Sequence, residues 1–385
     1  MKYGLLYYKD TGNIGDDIQS YAASKFLPKI DYMIDRENIE MFAPNKKEKV
    51  ATIMNAWYIH DGFNFNISPY IYPLYTSVFF KYIEYYKGIE VGSDYLNRNV
   101  IKSLKNYGPV GCRDNHTKKM LNKLGVESYF SGCLTLTLDK FSSVEKGNYI
   151  VVNGLSKDEI KYIKSKTKRK IIEFKQDVKK KSFSDETWEE RKKRVEDVLK
   201  LYQGAYMVIT TKLHCSLPCL ALETPVLLLY DTSCQENKDR IGSYLTYLNY
   251  INRNELKKVN IDFDKPKKNK TKYLELRKKL IEQCKNFVQT SKGKKHSELL
   301  PEIEYYLESK KDERNTRKVV IKHLNLLQNK YCVEKKDYEE EIRQLKNNIG
   351  DLNYKYSELS RKYDLVINSK GWKILEKLRN FKLRK

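Results

Sequence analysis

The chain is 385 residues long, 40% hydrophobic, and carries 74 Lys and Arg against 50 Asp and Glu, a formal net charge of +24. That length accommodates two domains and an appendage, and no apolar run approaches the roughly 20 residues a membrane span requires. The basic excess is interspersed with acids along a lysine- and tyrosine-rich chain without a nucleic-acid motif; this argues against nucleic acid and fits an acidic substrate or an anionic membrane surface.

The short apolar stretch after Lys2 ends at Lys9-Asp10 and is no signal peptide, so a cytoplasmic protein is expected. Cysteines at 112, 133, 215, 219, 234, 284 and 332 lack the density of a disulfide scaffold and complete no zinc signature. Buried free thiols and no metal site are expected.

Tyr3 to Tyr8 reads as a first strand, and Ile18, Tyr21, Ala22 and Phe26 as one face of a first helix. Between them lies Gly12-Asn13-Ile14-Gly15-Asp16-Asp17, at the edge where open parallel sheets bind ligands. Its glycines admit a ligand to the backbone, and a helix N-terminus offers N–H groups to an anion. The same residues also read as a tight turn with Asp16 or Asp17 as N-cap. Val50–Asn55 is a second strand. Residues 70–86 hold eight aromatics in seventeen positions, and a packed aromatic helix around Val78–Tyr86 is expected. Pro109–Cys112 is a short strand leading to Arg113-Asp114, Asn115–Leu124 a helix, and Val126–Phe130 a strand ending at Ser131-Gly132-Cys133.

A second unit starts near Gly147. Tyr149–Val152 is a strand followed by Asn153-Gly154, and Ile171–Phe174 is another. Lys175–Ser184 reads as a polar loop, with Ser184 capping a helix that aligns Trp188, Val195, Val198, Leu199 and Tyr202. Tyr206–Thr210 is a strand whose exit is Thr211-Lys212-Leu213-His214. Cys215–Glu223 is a short helix with Pro218 in its first turn, and Val226–Tyr230 closes the series. Strands alternating with helices mean a parallel sheet covered on both faces. The expectation is α/β, with two Rossmann-like doubly wound domains, 1–145 and 146–309, facing a cleft.

Beyond about residue 310 the pattern changes. Tyr338, Ile342, Leu345, Ile349, Leu352, Tyr356, Leu359, Tyr363 and Val366 form a heptad with a at Ile342, Ile349, Tyr356 and Tyr363. Residues 310–367 are therefore expected as a helical extension forming a coiled coil with a copy or with another protein, or else as a single helix on the body. Asn368–Gly371 breaks it. In 368–385, Trp372, Leu375, Leu378 and Phe381 share a face, and seven Lys and Arg stand against Glu376. Such a basic amphipathic tail can lie on an anionic membrane through residues 366–385, or fold back on itself.

The strand exits bring Asn13, Gly15, Asp16, Arg113, Asp114 and Ser131 from the first domain toward Asn153, Lys212 and His214 from the second. His214 is the candidate acid/base, because histidine titrates near neutrality. Arg113 and Lys212 are candidates to clamp a phosphate or carboxylate, or to form surface ion pairs with Asp114 or Asp16. Arg240 follows the last strand as a further anion ligand. No serine elbow, Walker loop or zinc motif is present.

Taken together, Gly12-Asn13-Ile14-Gly15-Asp16, Gly111-Cys112-Arg113-Asp114 with Thr117, Ser131 through Leu138, and Thr211-Lys212-Leu213-His214 through Thr224-Pro225-Val226 resemble the polysaccharide pyruvyl transferase family over about residues 1–250. The resemblance implies a GT-B-like fold and transfer of a pyruvyl group from phosphoenolpyruvate to a sugar or lipid-linked saccharide of a surface polysaccharide, with no cofactor. It casts His214 as the acid/base, with Arg113, Lys212 and Arg240 on the donor and Asn13 and Asp16 on the acceptor side. Lys212 stands where the family commonly has arginine, and the coiled coil lies outside the family pattern. The ending Asn368–Lys373 resembles tails of bacterial polysaccharide glycosyltransferases and implies a place at the inner face of the membrane. A GT-B glycosyltransferase using a nucleotide sugar, and a non-enzymatic coiled-coil adaptor, are the alternative readings.

Overall fold

The segments Val50–Ile53, Met207–Thr210 and Val226–Tyr230 are buried along their whole length rather than alternating, as required of strands covered on both faces. The computed structural model describes residues 1–46, 48–58, 67–80, 85–86, 89–90, 96, 98–176, 186–233, 235–292 and 337–382. In chain order the first half forms β1 (Lys2–Tyr7), α1 (Ile14–Ser24), β2 (Tyr32–Asp35), β3 (Val50–Ile53), β4 (Trp57–Tyr58), β5 (Ile71–Leu74), β6 (Phe79–Phe80), β7 (Tyr85–Tyr86), β8 (Ile89–Glu90), α2 (Arg98–Asn106), β9 (Val110–Cys112), α3 (Asn115–Lys123) and β10 (Ser128–Phe130). The second half forms β11 (Tyr149–Asn153), α4 (Lys157–Lys164), β12 (Lys170–Phe174), α5 (Trp188–Gly204), β13 (Met207–Thr210), α6 (Leu213–Ala221), β14 (Val226–Tyr230), α7 (Gln235–Gly242), β15 (Asn249–Asn252) and α8 (Tyr273–Lys292).

Two parallel sheets result, ordered β2-β1-β3-β5 and β12-β11-β13-β14-β15. Each reverses its winding beside its first strand, between β1 and β3 and between β11 and β13. Such a reversal opens a crevice outside the strand ends where ligands bind. The first crevice is entered by the Gly12–Asp17 loop and Asn55, the second by Asn153 and the Thr211–His214 turn. One buried cluster runs through both sheets, joining Leu5 and Ile18 of the first half to Val151, Val208 and Leu220 of the second. The helix α8 returns to the first sheet, stacking Phe287 on Tyr72 with ring centroids 5.6 Å apart.

Three local expectations are corrected. Phe79–Phe80 is a strand paired in parallel with Trp57–Tyr58, and Tyr85–Tyr86 pairs antiparallel with Ile89–Glu90, so no helix spans 78–86. Aromatic and β-branched side chains suit a pleated, covered surface, and Val78 bridges to Cys112 besides. Thr187, not Ser184, caps α5, in a reciprocal capping box with Glu190; Ser184 lies outside the described residues. Pro218 stands inside α6 rather than in its first turn. The strands β2, β5 and β15 escaped the sequence reading; each is only four residues long, and none is an unbroken aliphatic run.

The β1–α1 loop is tied to α5 by a buried ion pair. Asp17 has a fully buried side chain; Arg191 Nη1 lies 3.1 Å and Arg194 Nη2 2.9 Å from its two oxygens. Arg191 also donates to the Tyr8 and Lys9 carbonyls, at 3.0 and 2.5 Å.

A compact unit covers Met1–Ile303, and Glu304–Lys385 forms a second. In the second, residues 337–367 are helical, the chain turns at Asn368-Ser369, and Lys370–Lys382 forms another helix whose Trp372 N–H donates to Ser369 Oγ at 3.2 Å. Every residue of the heptad stripe is exposed.

Removing one partner of a buried ion pair strands the other. Asp17→Ala is therefore expected to lower the unfolding free energy by about 3–5 kcal/mol, measured by urea denaturation. A loss below about 1 kcal/mol, the range of exposed pairs, would contradict the buried linkage.

Candidate active site

The N-terminus of α1 carries the first part of the site. Asn13 caps it, accepting the Gly15 N–H at 2.8 Å, and the Ile14 N–H donates across to the Gln176 carbonyl at 3.2 Å. At Gly15 the two halves touch closely. A Cβ there would lie 2.7 Å from Gln176 Nε2 and 3.1 Å from the His214 Cβ, so only hydrogen fits without displacement. Asp16 accepts Thr11 Oγ1 at 2.7 Å and Gln19 Nε2 at 3.4 Å, with Arg36 Nη1 3.5 Å away.

His214 lies at the kinked first turn of α6, with φ −78° and ψ 15° outside helical values. Pro218, four residues on, has no N–H to return to the His214 carbonyl. Gln176 Nε2 donates to that carbonyl instead, at 3.2 Å. The His214 Nε2 sits 3.7 Å from the Cys133 thiol. Burial, then the positive charges of Arg113 and Arg240, hold the imidazole well below its ordinary pKa of 6.5. At neutral pH His214 is neutral.

Arg113 is fully buried, and the exit of β9 aims it at this centre. Its backbone N–H donates to the Val78 carbonyl at 2.8 Å, and Tyr244 Oη donates to its carbonyl at 2.5 Å. The guanidinium lies over the Phe79 ring at 4.8 Å and donates through Nη1 to Gln19 Oε1 at 2.6 Å. Its Nε and Nη2 are buried with no hydrogen-bond partner among the described residues. A guanidinium keeps its proton, so this is a buried cation with two unfilled donors, as an anion site requires.

Arg36, at the exit of β2, is buried in a different setting. Its Nε donates to Glu37 at 2.8 Å, its Nη1 faces Asp16, and its guanidinium stacks on Tyr8 at 4.0 Å. Only Nη2 is left without a partner among the described residues. Tyr58 lies within electrostatic reach of both Arg36 and Arg113. Gln19 links the two settings, holding Arg113 with its oxygen and Asp16 with its nitrogen.

The remaining sequence candidates divide. Lys212 N-caps α6 without a side-chain cap bond, and its stem packs against Gly154, whose φ of +80° suits glycine. Arg240 lies 5.7 Å from the Trp57 ring and acts electrostatically on His214. Asn153 donates to Tyr202 Oη at 3.1 Å and Gln176 Oε1 at 3.4 Å, leaving a buried Oδ1 with no hydrogen-bond partner among the described residues. Asp114 caps α3, engaged by the Thr117 N–H and hydroxyl at 2.8 and 3.0 Å. Ser131 Oγ accepts the Ser77 N–H at 3.1 Å and bonds the Cys112 carbonyl at 3.1 Å. These last two bonds fix the loops that hold Arg113.

Sequence reading missed Arg36, Gln19 and Gln176. Recognising Tyr32–Asp35 as a strand would have put Arg36 at its exit; nothing in the polar run after Phe174 marks Gln176. Among the described residues no cluster of His, Cys, Asp and Glu is arranged to hold a metal.

Comparison with solved structures returns an uncharacterised protein from Klebsiella pneumoniae, 12% identical over 65% of this chain and 92% of that one, with a TM-score of 0.38. It also returns the UDP-GlcNAc 2-epimerase of Methanocaldococcus jannaschii in complex with UDP-GlcNAc and UDP, 11% identical over 76% of this chain and 99% of that one, also at 0.38. No curated protein matches. The polysaccharide pyruvyl transferase profile matches residues 13–233, a span that opens at the Asn13 cap and takes in Arg113, Cys133 and His214. With more than half its length inside that match, the chain belongs to the polysaccharide pyruvyl transferase family, a family of transferases.

Proposed function

We propose that this transferase moves a pyruvyl group from phosphoenolpyruvate to a hydroxyl-bearing sugar of a surface-polysaccharide precursor, free or lipid-linked, forming a cyclic ketal. The observation that carries the reading is the buried Arg113 guanidinium, with two unfilled donors, within electrostatic reach of the His214 imidazole. Phosphoenolpyruvate is a small polyanion, and Arg113, Arg240 and Lys212 are the cations to receive its phosphate and carboxylate. Asp16 and Arg36 neutralise one another and suit the acceptor's hydroxyls, so the two substrates are sorted by charge.

In the proposed reaction His214 gives a proton to the donor's methylene carbon, leaving the adjacent carbon electron-poor. A sugar hydroxyl oxygen bonds to that carbon and its proton passes to Asp16. The C–O bond to phosphate breaks, a second hydroxyl closes the ketal, and the second hydroxyl proton leaves with inorganic phosphate. The enzyme returns to its starting protonation once the Asp16 proton passes back to His214 or to solvent.

His214 is neutral at neutral pH and must be charged to act as the acid. A bound polyanion offsets Arg113 and Arg240 and raises its pKa, so the substrate itself recruits the proton. The reading places the protein in the cytoplasm. Among the described residues no helix is long and apolar enough to cross a membrane. The Lys370–Lys382 helix exposes Trp372, Ile374 and Leu375 among lysines, and we propose it as a peripheral contact to anionic lipid.

Three results are expected. With labelled phosphoenolpyruvate, phosphate appears only when acceptor is present; His214→Gln lowers kcat roughly 10²–10⁴-fold while retaining donor binding, and Arg113→Gln loses donor binding. Release of a nucleoside diphosphate from a nucleotide sugar would point to glycosyl transfer instead. Above pH 6.5, calorimetry in buffers of different ionisation enthalpy shows proton uptake on phosphoenolpyruvate binding, absent in His214→Gln; equal uptake in both would dissociate His214 from the donor. The full chain cosediments with anionic vesicles, less so in high salt, and Trp372→Glu with Leu375→Glu abolishes this; unchanged sedimentation of that variant would refute the contact.

A further inference from the structure

The helix 337–367 carries its apolar side chains on the outside. Ile342, Ile349, Tyr356 and Tyr363 occupy a positions, and Tyr338, Leu345, Leu352, Leu359 and Val366 occupy d positions, of one unbroken heptad. Each is more than half exposed, from 51% at Ile342 to 75% at Tyr356. Gly350, with open space around its missing side chain, lies at a b position on the outer face. The ion pairs within the helix, Arg343–Glu340 at 2.7 Å and Lys362–Glu358 at 3.9 Å, also lie off the stripe. A helix with such a stripe gains most of its stability from what covers the stripe.

The flanks identify the cover. In a parallel, in-register pair each g residue faces the next heptad's e residue on the other chain. Glu341 then meets Lys346 of the other copy, Asn348 meets Asn353, Lys355 meets Ser360, and Lys362 meets Ile367. One attractive pair forms on each side, and no like charges face one another. The first two heptads place isoleucine at a and leucine at d, the combination that favours two parallel strands. We propose that the stripe is covered by a second copy of this chain, in parallel and in register, so that residues 338–366 make the protein a dimer.

Sedimentation equilibrium of the full chain tests this. The expected mass is twice the 45.7 kDa of one chain. Ile349→Asp combined with Leu352→Asp is expected to give the monomer, with thermal unfolding of the 1–303 unit unchanged. Leu345→Cys is expected to form an intermolecular disulfide on mild oxidation beyond that of the unsubstituted protein. A monomeric or higher-order wild type, or a dimer that survives the double substitution, overturns the proposal. A dimer in which Leu345→Cys adds no cross-link overturns the parallel arrangement. A chain monomeric alone but captured by a different protein would assign the stripe to that protein.

Discussion

The buried carboxylate of Asp17 fixes the geometry on which the site rests. It accepts from two arginines of α5, and one of them, Arg191, also holds the Tyr8 and Lys9 carbonyls. The first loop of one sheet is thereby fastened to a helix of the other. The shared apolar cluster draws the two sheets together without direction; directional bonds from Arg191 and Arg194 decide how α1 presents its N-terminus. Asn13 and Gly15 follow from that placement, because Asn13 closes the cap and Gly15 leaves room for His214 and Gln176. Adjacent carboxylates thus serve different ends. The charge of Asp17 is consumed in architecture, while Asp16 stays at the partly exposed end.

Charge is distributed unevenly over the exits. Asp16, Arg36 and Glu37 form a group whose positive and negative members are in contact. Arg113, one Gln19 side chain away, touches an amide and an aromatic ring and keeps unfilled donors; the nearby Asp114 carboxylate acts on it only at a distance, its oxygens being engaged by Thr117. In the proposed reaction this contrast has a use. A buried cation with unfilled donors binds a group that brings negative charge and acceptors, and one already paired binds hydroxyls without attracting a second polyanion. Gln19 couples the two, since a shift of Arg113 toward an anion pulls on the same side chain that donates to Asp16.

The parallel α/β organisation and the positions of most strands were legible from runs of buried aliphatic residues, because a strand covered on both faces has little freedom in composition. Val226–Tyr230 is such a run and is fully buried. Arg113 and Lys212 were legible for the same reason, because they follow closely on the strand ends at Cys112 and Thr210. What escaped depends on contacts distant in sequence. Phe79–Phe80 becomes strand because Trp57–Tyr58 is there to pair with it. Arg36 follows a four-residue strand, and Gln176 follows a strand but resembles any polar loop residue until the His214 carbonyl gives it a role. Asp114 and Ser131 carried the right chemistry at a strand exit, yet their oxygens serve the cap of α3 and the Ser77 turn, which spacing alone does not reveal.

Pro218 shows how a residue unfavourable to a helix can serve the chemistry near it. An ordinary residue at that position would donate its N–H to the His214 carbonyl and draw the first turn of α6 into regular helix. Proline withholds the donor, the turn opens at His214, and the carbonyl becomes available to Gln176. Gln176 also takes a hydrogen bond from Asn153 and offers its own carbonyl to the Ile14 N–H. Backbone from α1, the exit of β11 and the turn bearing the imidazole therefore meet on one glutamine. A proton donor in the proposed transfer must hold its ring against a carbon atom, which offers no hydrogen bond of its own to orient it. Fixing the main chain on which that ring is mounted, through a carbonyl made available by a proline, supplies the orientation from behind.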